Sequence, residues 1–145
     1  MTSFIALVII AMIGGIVVVL QAQMIGLMEQ KMGTLESVFV TYGSGGLLIS
    51  LILLAMRGGN LKAWINVPWY AFLAGVMGLV IIGTIGYIVP RLGLVTAFTI
   101  LVATQFIGGA LIDHWGLMGA EVRLLDLPKL IGIGVLLVGV WLIIR

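Results

Sequence analysis

Between Leu92 and Ile112 the chain carries no charged residue, two further windows of similar length are as clean, and two more carry a single charge each. That feature leaves few folding options. In hydrocarbon no water satisfies the backbone, so an apolar run of about 20 residues crosses a bilayer as a helix whose amides and carbonyls bond within the segment. The windows lie near Phe4 to Leu27, Leu35 to Met56, Trp69 to Val89, Leu92 to Ile112 and Leu127 to Ile144. They predict an all-α integral membrane protein, with residues 1–145 forming a single transmembrane domain of five helices. Composition agrees: 63% of residues are hydrophobic and 8% charged, against roughly a quarter charged in soluble domains. Too little polar sequence remains for a soluble domain of useful size.

Met1-Thr2-Ser3 opens the chain without Lys or Arg, and the apolar run behind it outlasts the short core of a secretory signal. We read it as an uncleaved membrane helix. Cysteine is absent, which removes disulfides, thiolate nucleophiles and zinc–thiolate clusters. A net charge of +2 with no basic cluster excludes nucleic acid as a partner. Chains this short rarely enclose a solute path alone, so oligomerisation within the lipid bilayer is expected.

Punctuation between the windows carries nearly all the charge: Glu29-Gln30-Lys31, Arg57-Gly58-Gly59-Asn60, Pro90-Arg91 and the stretch from Asp113 to Asp126. Pro68, Pro90 and Pro128 mark helix starts or connections. Trp64, Trp69, Trp115 and Trp141 fall near span ends, as headgroup anchors do; Trp69 and Tyr70 could alternatively stack on a ligand at a pore mouth.

Five spans put the termini on opposite sides. Arg57, Lys62, Arg123 and Lys129 then lie on the amino-terminal side, with Lys31, Arg91 and Arg145 on the other. Orientation follows such Lys/Arg asymmetry, and here the balance is almost even. Insertion either way up follows, and a protein made in both orientations can pair with its own inverted copy. Such pairing supplies the symmetry that many secondary transporters build within one chain. The expectation is an antiparallel homodimer of about ten helices, or a pair with an oppositely oriented paralogous subunit.

Glycine placement predicts close helix packing. Ala71, Gly75, Gly78, Ile82 and Gly86 form one stripe on the third helix, with Gly108-Gly109 acting similarly on the fourth. No strand or P-loop lysine accompanies them, so a phosphate cradle is not indicated. Tyr42-Gly43-Ser44-Gly45-Gly46, near the middle of the second helix, predicts a bend or close crossing there. Packing is favoured over gating, and Gly45, Gly75 and Gly78 are expected to permit movable crossings.

No catalytic cluster emerges. Asp113 and His114 are neighbours in sequence, but adjacent helical residues point about 100° apart, and a helix-end cap explains the pair better than acid–base chemistry. One histidine and scattered carboxylates form no metal-ligand set, and no cofactor is expected. The protein is not read as an enzyme. Among the acids only Glu29 could approach the membrane interior, if the first helix runs long, which makes it the candidate for ion coupling; otherwise it is a solvated charge at a helix end. Gln21 and Gln105 stand out because an uncharged amide deep in a membrane helix needs a partner in protein, ligand or water. They lie on opposite halves of their helices, so inversion of one subunit carries Gln21 to the depth of its partner's Gln105. Interhelical bonding and solute contact both account for them. With Tyr42, they are the residues expected to line a solute path.

The ordered residues Gln21-Ala22, Met32-Gly33, Val67-Pro68-Trp69, Gly75 with Gly78, Val89-Pro90-Arg91-Leu92-Gly93, Gln105 and Ile112-Asp113-His114-Trp115-Gly116 resemble the YdcZ-like family, over almost the whole chain. That family is a short five-helix branch of the drug/metabolite transporter superfamily and is similar to the small multidrug resistance proteins in using dual-topology pairs or fused double-length chains. Two positions depart from its pattern: Ile25 stands where an asparagine is expected and Thr104 where a glycine is, which implies an altered pocket or a specialised paired subunit. The carboxylate used by small multidrug resistance exporters has no secure equivalent here.

The resemblance implies a multi-pass transporter of the bacterial inner membrane that moves small organic metabolites or drug-like solutes by alternating access. A reading of another class is a non-transporting membrane subunit that pairs with and stabilises another protein.

Overall fold

The structure, a computed structural model, describes residues 4–145; the opening Met1-Thr2-Ser3 lies outside the described residues. Five long helices are present: α1 (Phe4–Met32), α2 (Thr34–Ala55), α3 (Ala74–Leu92), α4 (Leu94–Trp115) and α5 (Leu127–Ile144). Each is long and apolar enough to cross a membrane, the third together with the 3-10 turn Trp69–Leu73 that leads into it. The chain divides into two compact units, one ending at Arg91 and the other comprising Leu92–Arg145.

In the first unit α1 and α2 form a hairpin joined by a single residue. Gly33 takes φ 98° there, a left-handed value that side chains disfavour, and its amide bonds the Glu29 carbonyl. α1 therefore runs past the expected end at Leu27, and Glu29-Gln30-Lys31 belongs to the helix rather than to a connection. Pro90, expected at a helix start or connection, likewise lies inside the last turn of α3. Its place near the helix end limits the backbone disruption a proline causes, and its ring takes a packing role: a Cβ at Gly26 would touch both Val89 and Pro90 at 3.3–3.4 Å.

The core of this unit sits where α3 meets the carboxyl end of α1 and the amino end of α2. Ala22, Ile25, Ile85 and Val89 are buried. Ser37 is fully buried too, and its hydroxyl donates to the Thr34 carbonyl at 2.8 Å, the back-bond by which a helix satisfies its own hydroxyls. Gly86 lets α3 approach Ile25 and Ser37, while Gly83 lies against Val38 and Thr34. The far half of the hairpin is different. α2 continues without interruption through Tyr42 to Gly46; within this stretch Tyr42 reaches α3 at Gly78, whereas Gly43, Gly45 and Gly46 face open space among the described residues.

In the second unit α4 ends at Gly116, which adopts the left-handed conformation and donates its amide to the Ile112 carbonyl, the glycine termination common at helix ends. A short 3-10 turn (Leu117–Gly119) and an irregular strap, residues 120–126, follow. α5 starts at the Asp126 cap, whose side chain accepts from the Lys129 amide at 3.0 Å, with Pro128 in the first turn. Both choices suit a helix start: the carboxylate fills an orphan donor and the proline forfeits an amide that had no partner.

Candidate functional site

The expected polar residues divide between the two units. Gln21 lies on an exposed face of α1. Tyr42, also exposed, turns its hydroxyl onto α3 at Gly78, where a Cβ would overlap it. No hydrogen bond joins Gln21 to Tyr42 among the described residues. Gly75 faces open space, as does Gly108 on α4.

Glu29 occupies a built environment. With α1 extended to Met32, its carboxylate meets Arg91 of α3 at 3.1 Å, and its side chain is only 10% exposed while that of Arg91 is 47% exposed. The Arg91 guanidinium also donates to the Tyr87 carbonyl and lies 3.7 Å from the centre of the Tyr87 ring. The Thr34 hydroxyl approaches the same carboxylate at 3.5 Å. Glu29 is thus a covered, ion-paired group that ties the carboxyl ends of α1 and α3, rather than a solvated charge at a helix end.

Gln105 belongs to the second unit, where α4 and α5 line an open groove of about 680 Å³, within the ~300–1,000 Å³ range of small-molecule sites. Val102, Phe106 and Ala110 of α4 form one apolar wall, and Ile133 and Leu136 of α5 the other. Gly109 and Gly132 leave its floor bare, with no atom within 4 Å of either Cβ position. Asp113 and Lys129 stand at the end nearest the strap. Gln105, Gly109 and Asp113 recur at steps of four, one above another on a single helix face.

Asp113 and His114 do more than mark a helix end, since Gly116 already terminates α4. The Asp113 carbonyl accepts from the Arg123 amide at 2.9 Å, and His114 accepts at Nδ1 from the Leu125 amide at 3.2 Å. A neutral His114 ring therefore carries its proton on Nε2. Together they fasten the strap along the end of α4, and Asp113 also lines the groove. Lys129 was missed as a site residue by reading the sequence. The available signal was its spacing to Gly132, Ile133 and Leu136, which puts all four on one face of α5.

The family model described as "Putative inner membrane exporter, YdcZ" matches residues 6–142, nearly the full chain and all five helices. The chain belongs to the YdcZ family. Membership places it among the drug/metabolite transporters as a multi-pass protein of the inner membrane, and a transporter family is the setting for its helices and groove. No curated protein and no solved structure matches it. Among the described residues no cluster of three or more His, Cys, Asp or Glu side chains is poised to hold a metal. The YdcZ-family pattern covers Gln105 and the Ile112 to Gly116 stretch, so the groove and its strap lie within the matched region.

Proposed function

We propose that the chain exports small organic metabolites or drug-like solutes by alternating access within an antiparallel homodimer. The supporting observation is the near balance of basic residues, with Arg57, Lys62, Arg123 and Lys129 set against Lys31, Arg91 and Arg145. It removes the asymmetry that normally fixes orientation, and inverted pairing then supplies equivalent inward- and outward-facing states. Gln21, Tyr42 and Gln105 line the path and exchange hydrogen bonds with the solute. In an inverted pair Gln21, just past the middle of α1, and Gln105, at the middle of α4, both lie in the central part of the membrane. Exposure of both amides in the single chain is consistent with partners outside it. Glu29 is the group through which an ion could couple to movement, because loss of its charge would release Arg91 and loosen α1 from α3. Gly78 and Gly86 keep α3 close to its neighbours during that movement.

Reporters fused separately to the two termini test the dimer in cells producing only this chain. Each fusion should report both compartments in similar amounts, whereas strict single orientation would sink the inverted homodimer. Purification separates the second reading: a homodimer favours the exporter, and obligate copurification of an unlike chain favours a stabilising subunit.

A further inference from the structure

The groove between α4 and α5 carries a charge pattern that selects among solutes, and we infer that it binds amphipathic zwitterions, molecules with a carboxylate and an ammonium on one head and an apolar body. The inference rests on the export reading for its purpose, since it names the class of solute to be moved, but the binding it describes is measurable without transport.

Two polar side chains lining the groove have no partner among the described residues. The Asp113 carboxylate makes no hydrogen bond or ion pair among the described residues, and neither does the Gln105 amide. Lys129 extends its ammonium to the Leu124 carbonyl at 2.9 Å and forms no ion pair among the described residues, the nearby Asp126 carboxylate being bonded to the Lys129 backbone amide. Asp113 and Lys129 share the groove yet form no ion pair with each other. Lys129 is exposed and Asp113 partly so, so this pair of opposite signs at the mouth of the groove is open to a ligand carrying both. A simple amine would satisfy Asp113 but meet Lys129 as a like charge; a simple carboxylate would do the reverse. A zwitterionic head meets both.

The rest of the groove sets the body. Gln105 lies two steps of four residues from Asp113, about 12 Å along the helix at 1.5 Å per residue. Between them Phe106, Ala110 and Ile133 supply apolar walls over the bare floor at Gly109 and Gly132. A chain of several methylenes fills that length, and Gln105 can accept or donate to a polar group at its far end.

Equilibrium dialysis of the full chain in lipid nanodiscs, corrected with empty nanodiscs, tests this with three probes of one chain length: N-octylglycine, octylamine and octanoate. N-octylglycine should bind at least tenfold tighter than either singly charged probe. Asp113→Asn should erase its advantage over octanoate, and Lys129→Met its advantage over octylamine. Both variants keep the backbone bonds at Asp113 and Lys129. Gly132→Leu, whose side chain enters open space, should abolish binding of N-octylglycine while the assembly keeps its mass. Equal binding of the three probes, or none, overturns the inference. So does a Gly132→Leu chain that binds normally or dissociates its assembly, the latter marking the groove as the seat of a second copy. Tightly held phospholipid displaced by Gly132→Leu would overturn it as well. Selective binding without any export would leave the groove assignment standing and count against the export reading alone.

Discussion

Gly86→Ala should destabilise the first unit where Gly83→Ala, three residues earlier on the same helix, should not. Both substitutions gain about 1 kcal/mol of helix propensity, so the difference between them isolates packing. At Gly86 an added methyl would sit 2.9 Å from Ile25 Cγ2, roughly 0.6 Å inside the ~3.5 Å optimum for carbon contacts. Ile25 is 1% exposed and has little room to yield. Overpacking of a filled core costs about 1–3 kcal/mol. Net destabilisation at Gly86 is then about 0–2 kcal/mol. At Gly83 the nearest atoms would be Val38 Cγ2 at 3.7 Å and Thr34 Cγ2 at 4.0 Å, ordinary contact that leaves the propensity gain intact. The two variants should differ by about 1–3 kcal/mol in reversible unfolding by denaturing detergent, with Gly86→Ala the weaker. If Gly86→Ala matches or exceeds Gly83→Ala, α3 does not pack on α1 as described.

Glu29→Gln and Arg91→Gln should each lower stability by about 1–2 kcal/mol, between the values for exposed and buried ion pairs because Glu29 is covered and Arg91 half exposed. The double variant should cost less than the sum, and strict additivity would show that the pair contributes nothing. His114→Ala should leave the Leu125 amide without its acceptor and speed its hydrogen exchange more than that of the Arg123 amide, which bonds the Asp113 carbonyl; equal acceleration of both would mean that the ring does not hold the strap individually.

The number and kind of helices were legible in the sequence because hydrocarbon imposes one rule on every window. Some helix ends were legible too, since α5 runs Leu127–Ile144 as expected and α2 differs by one residue at each end; the carboxyl ends of α1 and α3 were not, because they depend on partners distant in the chain. Glu29-Gln30-Lys31 reads as a connection until Arg91 is placed beside Glu29, and Pro90 reads as a breaker until its ring is seen against Gly26. The glycine stripe on α3 showed the same limit. Gly78 and Gly86 meet neighbours while Gly75 does not, since spacing defines a face but not how far along it another helix extends. At the candidate site Gln105 was conspicuous by itself. Asp113 stood out only as a helix-end cap and Lys129 not at all, because bringing them into one groove with Gln105 takes the α4–α5 pairing that the strap and the Asp126 cap establish.

Export through a path containing Gln105 is the central claim, and it can be tested before any solute is named. Cells producing the chain and cells producing equal membrane levels of Gln105→Leu would be compared by mass spectrometry of the small molecules in their medium. At least one solute should accumulate outside the first culture and fall at least severalfold in the second. Indistinguishable profiles, with both proteins assembled alike, would contradict the claim.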